Sequence, residues 1–174
     1  LNHGSFGPTP RRVRERQLAW QIELASQPMD FFLRKFEPAW LTAREQLAQF
    51  VGTHPDDVVF VENSTAAMNV IANSFRLAAD DEVLLTDHEY GAVVRIWQRA
   101  CAAAGTVEPR IAKLPERFES AEQVVDAIFA AATNRTRLLV VSHITSPTAV
   151  ILPVHEICAA ARERGIAVCI DGPH

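Results

Sequence analysis

The sequence predicts an α/β fold: a mainly parallel sheet with helices on both faces. From residue 57 onward, short apolar runs alternate with longer segments of helical character. The runs are continuously apolar, which is typical of parallel strands buried on both faces. Polar residues follow most of these runs. Because ligands of such sheets bind outside the carboxyl ends of the strands, the sequence also predicts a site there.

Two helical segments precede the first predicted strand. We predict helices over residues 11–25 and 38–51, with Gly52 at the position of a C-terminal cap. The aromatic cluster of residues 31–36 lies between them. We therefore divide the chain into an N-terminal loop and helical segment, residues 1–52, and the first part of a larger domain, residues 53–174, whose sheet is incomplete.

The later elements follow one another in regular order. The predicted strands cover residues 58–61, 82–86, 110–114, 137–142 and 166–170, the third of them at an edge. The predicted helices cover residues 66–75, 91–104, 120–132 and 154–164. Ser120 and Gln123 have the spacing of a capping box at the start of the third helix.

Composition excludes several classes of protein. The 174 residues are 48% hydrophobic and carry a formal net charge of -4, so a nucleic-acid partner is not expected. No apolar run approaches the ~20 residues that span a bilayer. Cys101, Cys158 and Cys169 are scattered and form no CxxC pair, which predicts a reducing, cytoplasmic location and no metal site. The start lacks both an initiator Met and the pattern of a signal peptide, and we expect the natural chain to begin earlier.

Hydroxyl residues follow the first predicted strand, in the segment Asn63-Ser64-Thr65-Ala66. At a helix start such residues can hold an anion, most naturally a phosphate. The alternative is ordinary capping, for which Ser and Thr are preferred. Neither GxxxxGK[ST] nor GxGxxG occurs, which excludes the usual nucleotide motifs.

Three further strand ends carry polar residues. Either His88 or Tyr90 can stack on a planar ring, although a turn histidine at a helix start is the simpler alternative. The loop of residues 142–148 is rich in hydroxyl groups, and its His143 is either structural or directed at a ligand. Asp171 ends the last strand, close to His174. A buried carboxylate there needs a cationic or N–H partner.

The order of these motifs resembles the class V aminotransferase family of fold-type-I pyridoxal 5'-phosphate (PLP) enzymes, and within it the isopenicillin-N-epimerase-like proteins. The resemblance rests on residues 1–7, 31–34, 59–69, 86–92, 142–146 and 171–174. It implies the fold-type-I large domain, a PLP cofactor, an amino-acid substrate and a homodimer. It extends over the whole chain and is more specific for the family than for the reaction.

The resemblance also implies a role for individual residues. Ser64, Thr65 and the Ala66 backbone would hold the PLP phosphate. His88 would stack on the pyridine ring, with Tyr90 as second choice, and Asp171 would keep the ring nitrogen protonated. The remaining implied positions are Thr145, Ser146 and His174 near the ring hydroxyl, and Asn2 and His3 near the substrate entrance.

Two departures from the family pattern stand out. Family members often have Gly where this chain has Ala149, and we expect this loop to shift slightly. The family places its Schiff-base lysine some tens of residues beyond the aspartate, whereas the lysines here are Lys35 and Lys113. We therefore expect the chain to be the N-terminal part of a longer enzyme and to be inactive alone.

The implied reaction takes place at Cα or Cβ of an amino acid, as in an epimerase or a carbon–sulfur lyase. A cysteine desulfurase is one alternative, but it needs a mobile nucleophilic thiol, and none of the three cysteines has the sequence context of an exposed loop. A non-catalytic PLP-fold protein that serves as a binding or interaction module is the other alternative.

Overall fold

The computed structural model describes residues 7–174, so the predicted substrate-entrance residues Asn2 and His3 lie outside the described part. The described residues up to Val61 form one compact unit, and Glu62–His174 form a second. The division of the chain after residue 52 stays a prediction.

Helices make up most of the first unit. Helix α1 covers Arg11–Ser26 and α2 covers Glu37–Val51, which confirms both predicted N-terminal helices. A short helix, Pro28–Asp30, and a π-helix, Phe31–Phe36, connect them. Phe31 is buried, and its ring makes an edge contact with Trp20 at a centroid distance of 5.6 Å. Gly52 ends α2 with φ of 75°, as expected for a C-terminal cap.

The predicted strand at residues 58–61 is wrong. The segment follows a 3-10 turn, Pro55–Asp57, and belongs to none of the four strands of the described sheet. Val58 is buried, but Val59 is 74% exposed. A short apolar run does not specify a hydrogen-bonded neighbour, and without one the segment has no ladder to join.

The second unit contains a four-stranded parallel sheet. Its strands are β1 (Glu82–Thr86), β2 (Arg110–Ala112), β3 (Thr136–Ser142) and β4 (Ala167–Asp171). Their order in the sheet is β2-β1-β3-β4, with β2 at an edge as predicted. The register of β3 and β4 pairs Ser142 with Asp171. Because the strands are parallel, all four carboxyl ends lie along the same side of the sheet, which we call its carboxyl-end edge.

Helices cover both faces of this sheet, which confirms the predicted fold class. The four helices are α3 (Ser64–Ser74), α4 (Gly91–Ala104), α5 (Ala121–Ala130) and α6 (Val154–Glu163). On one face, α3 and α4 pack on the alternate strand residues Val83, Leu85, Leu138 and Val140. On the other face, α5 and α6 pack on Leu84, Leu139 and Val141. Successive side chains along each strand point to opposite faces of the sheet and thus belong to two separate hydrophobic cores.

Local signals place the helix ends. Ser120 Oγ accepts a hydrogen bond from the Gln123 amide at 3.1 Å, and the Gln123 side chain accepts one from the Glu119 amide at 3.1 Å. The predicted capping box is therefore present, with its return bond one residue earlier than in the usual pattern. No helix in the described range 7–174 combines the length and the apolar character needed to cross a membrane.

Strand β4 departs from the prediction of a strand buried on both faces. It lies at an edge of the described sheet, and Ile170 is 45% exposed. Asp171, by contrast, is only 8% exposed. The apolar sequence indicates a strand that favours burial, but the neighbours present in this chain determine how much of it is covered.

Candidate active site

The first turn of α3 presents polar groups at the carboxyl-end edge of the sheet. Its cap is Asn63, whose side-chain oxygen accepts a hydrogen bond from the Ala66 amide at 2.8 Å. Ser64 and Thr65 are therefore inside the helix, and their exposed hydroxyls are not the capping groups. The helix begins two residues earlier than predicted. Amides at the first two helical positions have no acceptor within the helix, so they are available to an anion.

The loop between β1 and α4 is fixed by its acidic residues. Asp87 Oδ1 accepts a hydrogen bond from the Leu114 amide at 3.0 Å, and the Asp87 amide donates to the Ala112 carbonyl at 3.0 Å. These two bonds tie the start of the loop to the end of β2.

Glu89 is the main site residue that the sequence reasoning did not single out. Its carboxylate is buried and accepts hydrogen bonds from Thr86 Oγ1 at 2.6 Å, from Ser142 Oγ at 2.7 Å and from the Ser142 amide at 3.2 Å. The loop after β1 is thereby attached to the end of β3. An acid next to a helix start is usually read as an exposed dipole partner, so sequence alone gave no reason to place it inside.

His88 and Tyr90 have different surroundings. The His88 ring contacts Phe118 edge-on at a centroid distance of 5.9 Å, and its Nδ1 lies 3.3 Å from Thr148 Oγ1. Tyr90 is 52% exposed and lines an open groove together with Thr65. The structure thus brings Tyr90, rather than His88, beside the first turn of α3.

The groove has a volume of about 560 Å³ and is lined by residues of α3 and α4, from their first turns to Asn69 and Arg99. Two arginines contribute to its wall, Arg95 and Arg99. Arg99 donates a hydrogen bond to Asn69 Oδ1 at 2.6 Å, and Asn69 donates to the Thr65 carbonyl at 2.9 Å. The groove is therefore rich in donors, which suits an anionic group more than a cationic one.

The loop after β3 turns back on itself. Thr145 is buried, and its hydroxyl lies 2.6 Å from Thr148 Oγ1 and accepts from the Val150 amide at 2.9 Å. Ser146 is exposed. The Thr145 hydroxyl is therefore used within the loop, whereas the Ser146 hydroxyl is open to a ligand.

Ala149 makes this loop strained. Its φ is 54°, the left-handed region that favours glycine, and its amide donates to the Thr145 carbonyl at 2.8 Å. The family's frequent glycine at this position therefore has a conformational reason. In this chain an alanine adopts the left-handed conformation.

Asp171 lies at the end of β4, on the sheet face that α3 and α4 cover. The same face carries Cys169, two residues earlier, in the core with Met68. Burial raises the pKa of the Asp171 carboxyl, and the nearby His174 opposes that rise. The Asp171 carbonyl also accepts from the His143 amide at 2.8 Å, so His143 is attached to this strand through its backbone.

The pKa values of two neighbours show how acidic this corner is. Burial raises the pKa of Glu89, and the charge of Asp171 raises it further, while the hydrogen bonds from Ser142 and Thr86 lower it. Burial and the same two acids raise the pKa of the Cys169 thiol to about 11. Among residues 7–174, no three His, Cys, Asp or Glu side chains are grouped so that they could hold a metal ion.

These features define an α/β protein with unbonded amides and exposed hydroxyls at the start of α3 and a buried acid at the carboxyl end of β4. The sequence profile of the family described as "Aminotransferase class-V" matches residues 28–173. The chain belongs to the class-V aminotransferase family.

Curated relatives cover the chain from end to end. It is 42% identical over 174 residues to isopenicillin N epimerase of Streptomyces clavuligerus, with 100% of this chain and 44% of that protein aligned. It is 33% identical over 190 residues to the putative L-cysteine desulfhydrase 1 of Oryza sativa subsp. japonica, with 100% of this chain and 39% of that protein aligned. The chain thus spans less than half the length of these relatives.

Solved structures agree on the fold. The cystine C–S lyase C-DES in complex with cysteine persulfide superimposes with a TM-score of 0.84 at 24% identity, over 99% of this chain and 46% of that one. A cysteine desulfurase from Escherichia coli gives a TM-score of 0.74 at 22% identity, over 98% of this chain and 43% of that one. The fold is therefore the fold-type-I large domain, present here in part.

Proposed function

We propose that the protein that carries this chain is a PLP-dependent enzyme that acts at Cα or Cβ of an amino acid. The observation that carries the proposal is the position of Asp171. It is a buried acid at the carboxyl end of a parallel strand, on the face covered by α3, whose first turn is open to an anion. An acid and an anion site at one sheet edge match the two ends of a pyridinium phosphate.

The donors at α3 fit a phosphate. Two first-turn amides and the exposed side chains of Ser64 and Thr65 lie at the amino end of the helix, where the helix dipole also favours negative charge. The Ala66 amide is already bonded to Asn63, so it joins the phosphate only when that bond opens. We therefore assign the phosphate first to Ser64 and Thr65 and second to Ala66.

The acid fits a protonated ring nitrogen. Burial has raised the pKa of this carboxyl group. Such a group is stabilised most by a cationic N–H partner, because that partner offsets the cost of burying the charge. When bound, PLP supplies an electron sink for a carbanion at the substrate Cα, and a protonated ring nitrogen strengthens it. The role of Asp171 is to hold that proton.

The ring faces are assigned to aromatic residues of the β1–α4 loop. Tyr90 is exposed and lies beside Thr65, whereas His88 is held against Phe118 and Thr148. His88 remains the first choice implied by the family resemblance, and the geometry favours Tyr90. His174, Ser146 and Thr145 are assigned to the side of the ring hydroxyl, and of these three Ser146 has the exposed hydroxyl.

The relatives narrow the reaction class. Relatives aligned with the whole chain are named isopenicillin N epimerase and L-cysteine desulfhydrase, which favours epimerisation or carbon–sulfur cleavage. A cysteine desulfurase aligned over 74% of this chain is 34% identical to it, which supports that reaction as the second candidate. A homodimer and a cytoplasmic location complete the proposal, on the family resemblance and on the free cysteines.

The Schiff-base lysine is assigned outside the residues described here. Lys35 lies in the first unit and forms ion pairs with Glu23 at 2.6 Å and Asp30 at 3.4 Å. Lys113 is exposed directly after the edge strand β2. Within the sheet, β2 is separated by β1 and β3 from β4, the strand that carries Asp171. We accordingly expect the 174-residue chain alone to be inactive.

The test uses the full-length protein and Asp171→Asn. We expect wild-type protein to bind PLP with its visible absorbance, and the variant to bind it at least about tenfold more weakly, because a charged hydrogen bond contributes about 1.5–3 kcal/mol. Asp81→Asn is the matched control, since Asp81 lies at the opposite end of β1 and its Oδ2 accepts from the Ala78 amide at 2.8 Å. Equal PLP affinity in wild type and Asp171→Asn would refute the assignment.

A further inference from the structure

We propose that Glu89 is a positioning residue whose carboxylate, held on Ser142 beside Asp171, acts with Asp171 to keep the bound ring nitrogen protonated. The proposal deepens the proposed function and rests on it. The family resemblance implies one negative charge near the ring nitrogen, that of Asp171, and the proposal adds that of Glu89.

The position of Glu89 is determined by three hydrogen bonds. One carboxylate oxygen accepts from Thr86 Oγ1 and the Ser142 amide, and the other accepts from Ser142 Oγ. The Thr86 hydroxyl in turn accepts from the His88 amide at 3.3 Å. An acid that accepts at both oxygens, from a backbone amide and two hydroxyls, is satisfied in its ionised form.

Ser142 links Glu89 to Asp171. The two strands pair Ser142 with Asp171 in parallel register, so both side chains are on the same face. Neighbouring strands are about 4.8 Å apart, which places Asp171 next to the hydroxyl that holds Glu89. The charge of Asp171 accordingly contributes to the raised pKa of Glu89. Two acids therefore share one buried corner.

Among the described residues, a second buried glutamate, Glu82, has arginine partners that Glu89 lacks. Glu82 is 1% exposed at the amino end of β1, where its carboxylate faces Arg135 and Arg110 and accepts from Thr133 Oγ1 at 2.6 Å. Arginine is the residue most suited to a buried ion pair, where its charge offsets that of the acid. Glu89 instead has hydroxyl and amide donors and a second acid as its neighbour.

A positive charge nearby favours the ionised forms of a buried pair of acids. His174 acts on Asp171, and Cys169, on the same strand, is itself disfavoured as a thiolate by both acids. A protonated pyridine nitrogen at Asp171 would supply a full positive charge facing both carboxylates. Glu89 then stabilises that cation without touching it, through its fixed position on Ser142.

The experiment measures the protonation of the ring nitrogen directly. Full-length wild type, Glu89→Gln and Glu82→Gln are loaded with pyridoxine 5'-phosphate labelled with 15N in the ring, and the 15N shift is titrated against pH. This probe binds without a Schiff base. We expect Glu89→Gln to lower the pKa of the ring nitrogen by about one unit, as loss of one buried charge implies, and Glu82→Gln to leave it at the wild-type value.

Glu89→Gln is nearly isosteric, and its amide can donate to Ser142 Oγ, so the hydrogen bonds are kept while the charge is lost. Ser142→Ala is the second variant: it keeps the charge but removes its 2.7 Å anchor, and we expect a smaller drop of the same sign. A ring-nitrogen pKa that stays at the wild-type value in both variants would overturn the proposal.

The outcome separates this proposal from the proposed function. If wild-type protein does not bind the probe, the PLP site itself is refuted, and if Asp171→Asn leaves the ring nitrogen unchanged, the role assigned to Asp171 is refuted. If Asp171→Asn changes the ring nitrogen while Glu89→Gln and Ser142→Ala do not, the site stands and only the role of Glu89 is refuted.

Discussion

Asn63→Ala removes the cap of α3 and distinguishes capping from anion binding at the same helix start. The lost interaction is the 2.8 Å hydrogen bond from the Ala66 amide to the Asn63 side chain, at an exposed position. Replacing a capping Asn with Ala typically costs 0.5–2 kcal/mol. Because this cap has good geometry but is solvent-exposed, we expect the free energy of unfolding to fall by about 1 kcal/mol without bound phosphate.

The same change releases a donor. With Asn63 gone, the Ala66 amide becomes a further first-turn N–H group that is open to an anion. We therefore expect Asn63→Ala to retain its affinity for pyridoxine 5'-phosphate. At saturating ligand, the difference in free energy of unfolding between variant and wild type should then be no larger than without ligand. Thr65→Ala should show the opposite pattern, with near wild-type stability and about tenfold weaker phosphate binding.

Urea unfolding, with and without pyridoxine 5'-phosphate, measures both effects. Asn63→Gly is the control for the cap, since Gly costs only a few tenths of a kcal/mol there. Ser64→Ala is the control for the hydroxyls and should leave the unliganded protein within about 0.5 kcal/mol of wild type. The reasoning fails if Ser64→Ala and Thr65→Ala destabilise the unliganded protein as much as Asn63→Ala does.

Two other predictions concern single residues of the same edge. Ala149→Gly should raise the free energy of unfolding by about 1 kcal/mol, because Ala149 has φ of 54°, in the left-handed region that favours glycine. A urea midpoint at or below that of wild type would contradict this. Burial and two nearby acids raise the pKa of Cys169 to about 11. The thiol should therefore react with iodoacetamide at pH 8 about two orders of magnitude more slowly than a free thiol. Mass spectrometry of the labelled peptide measures that rate; Asp171→Asn should increase it, and labelling of native protein at the free-thiol rate would exclude the raised pKa.

Much of the fold was predictable because it is local. Continuous apolar runs separated by helical segments specify parallel strands and crossover helices, and glycine and serine mark their ends. This is why β1, β3 and all four helices of the second unit lie within about two residues of their predicted bounds. The run at residues 58–61 shows where such reasoning stops, since strand pairing depends on a distant segment of backbone.

The candidate site divides in the same way. The sequence by itself determined which residue types follow each strand, and through them the resemblance to a family and the proposed acid at Asp171. Only the tertiary structure decided which of these side chains face inward. It made Asn63 rather than Ser64 or Thr65 the cap, held His88 against Phe118, and buried Glu89 on Ser142. The cap is a local contact, but the positions of His88 and Glu89 depend on contacts between residues up to 53 positions apart, which no local pattern encodes.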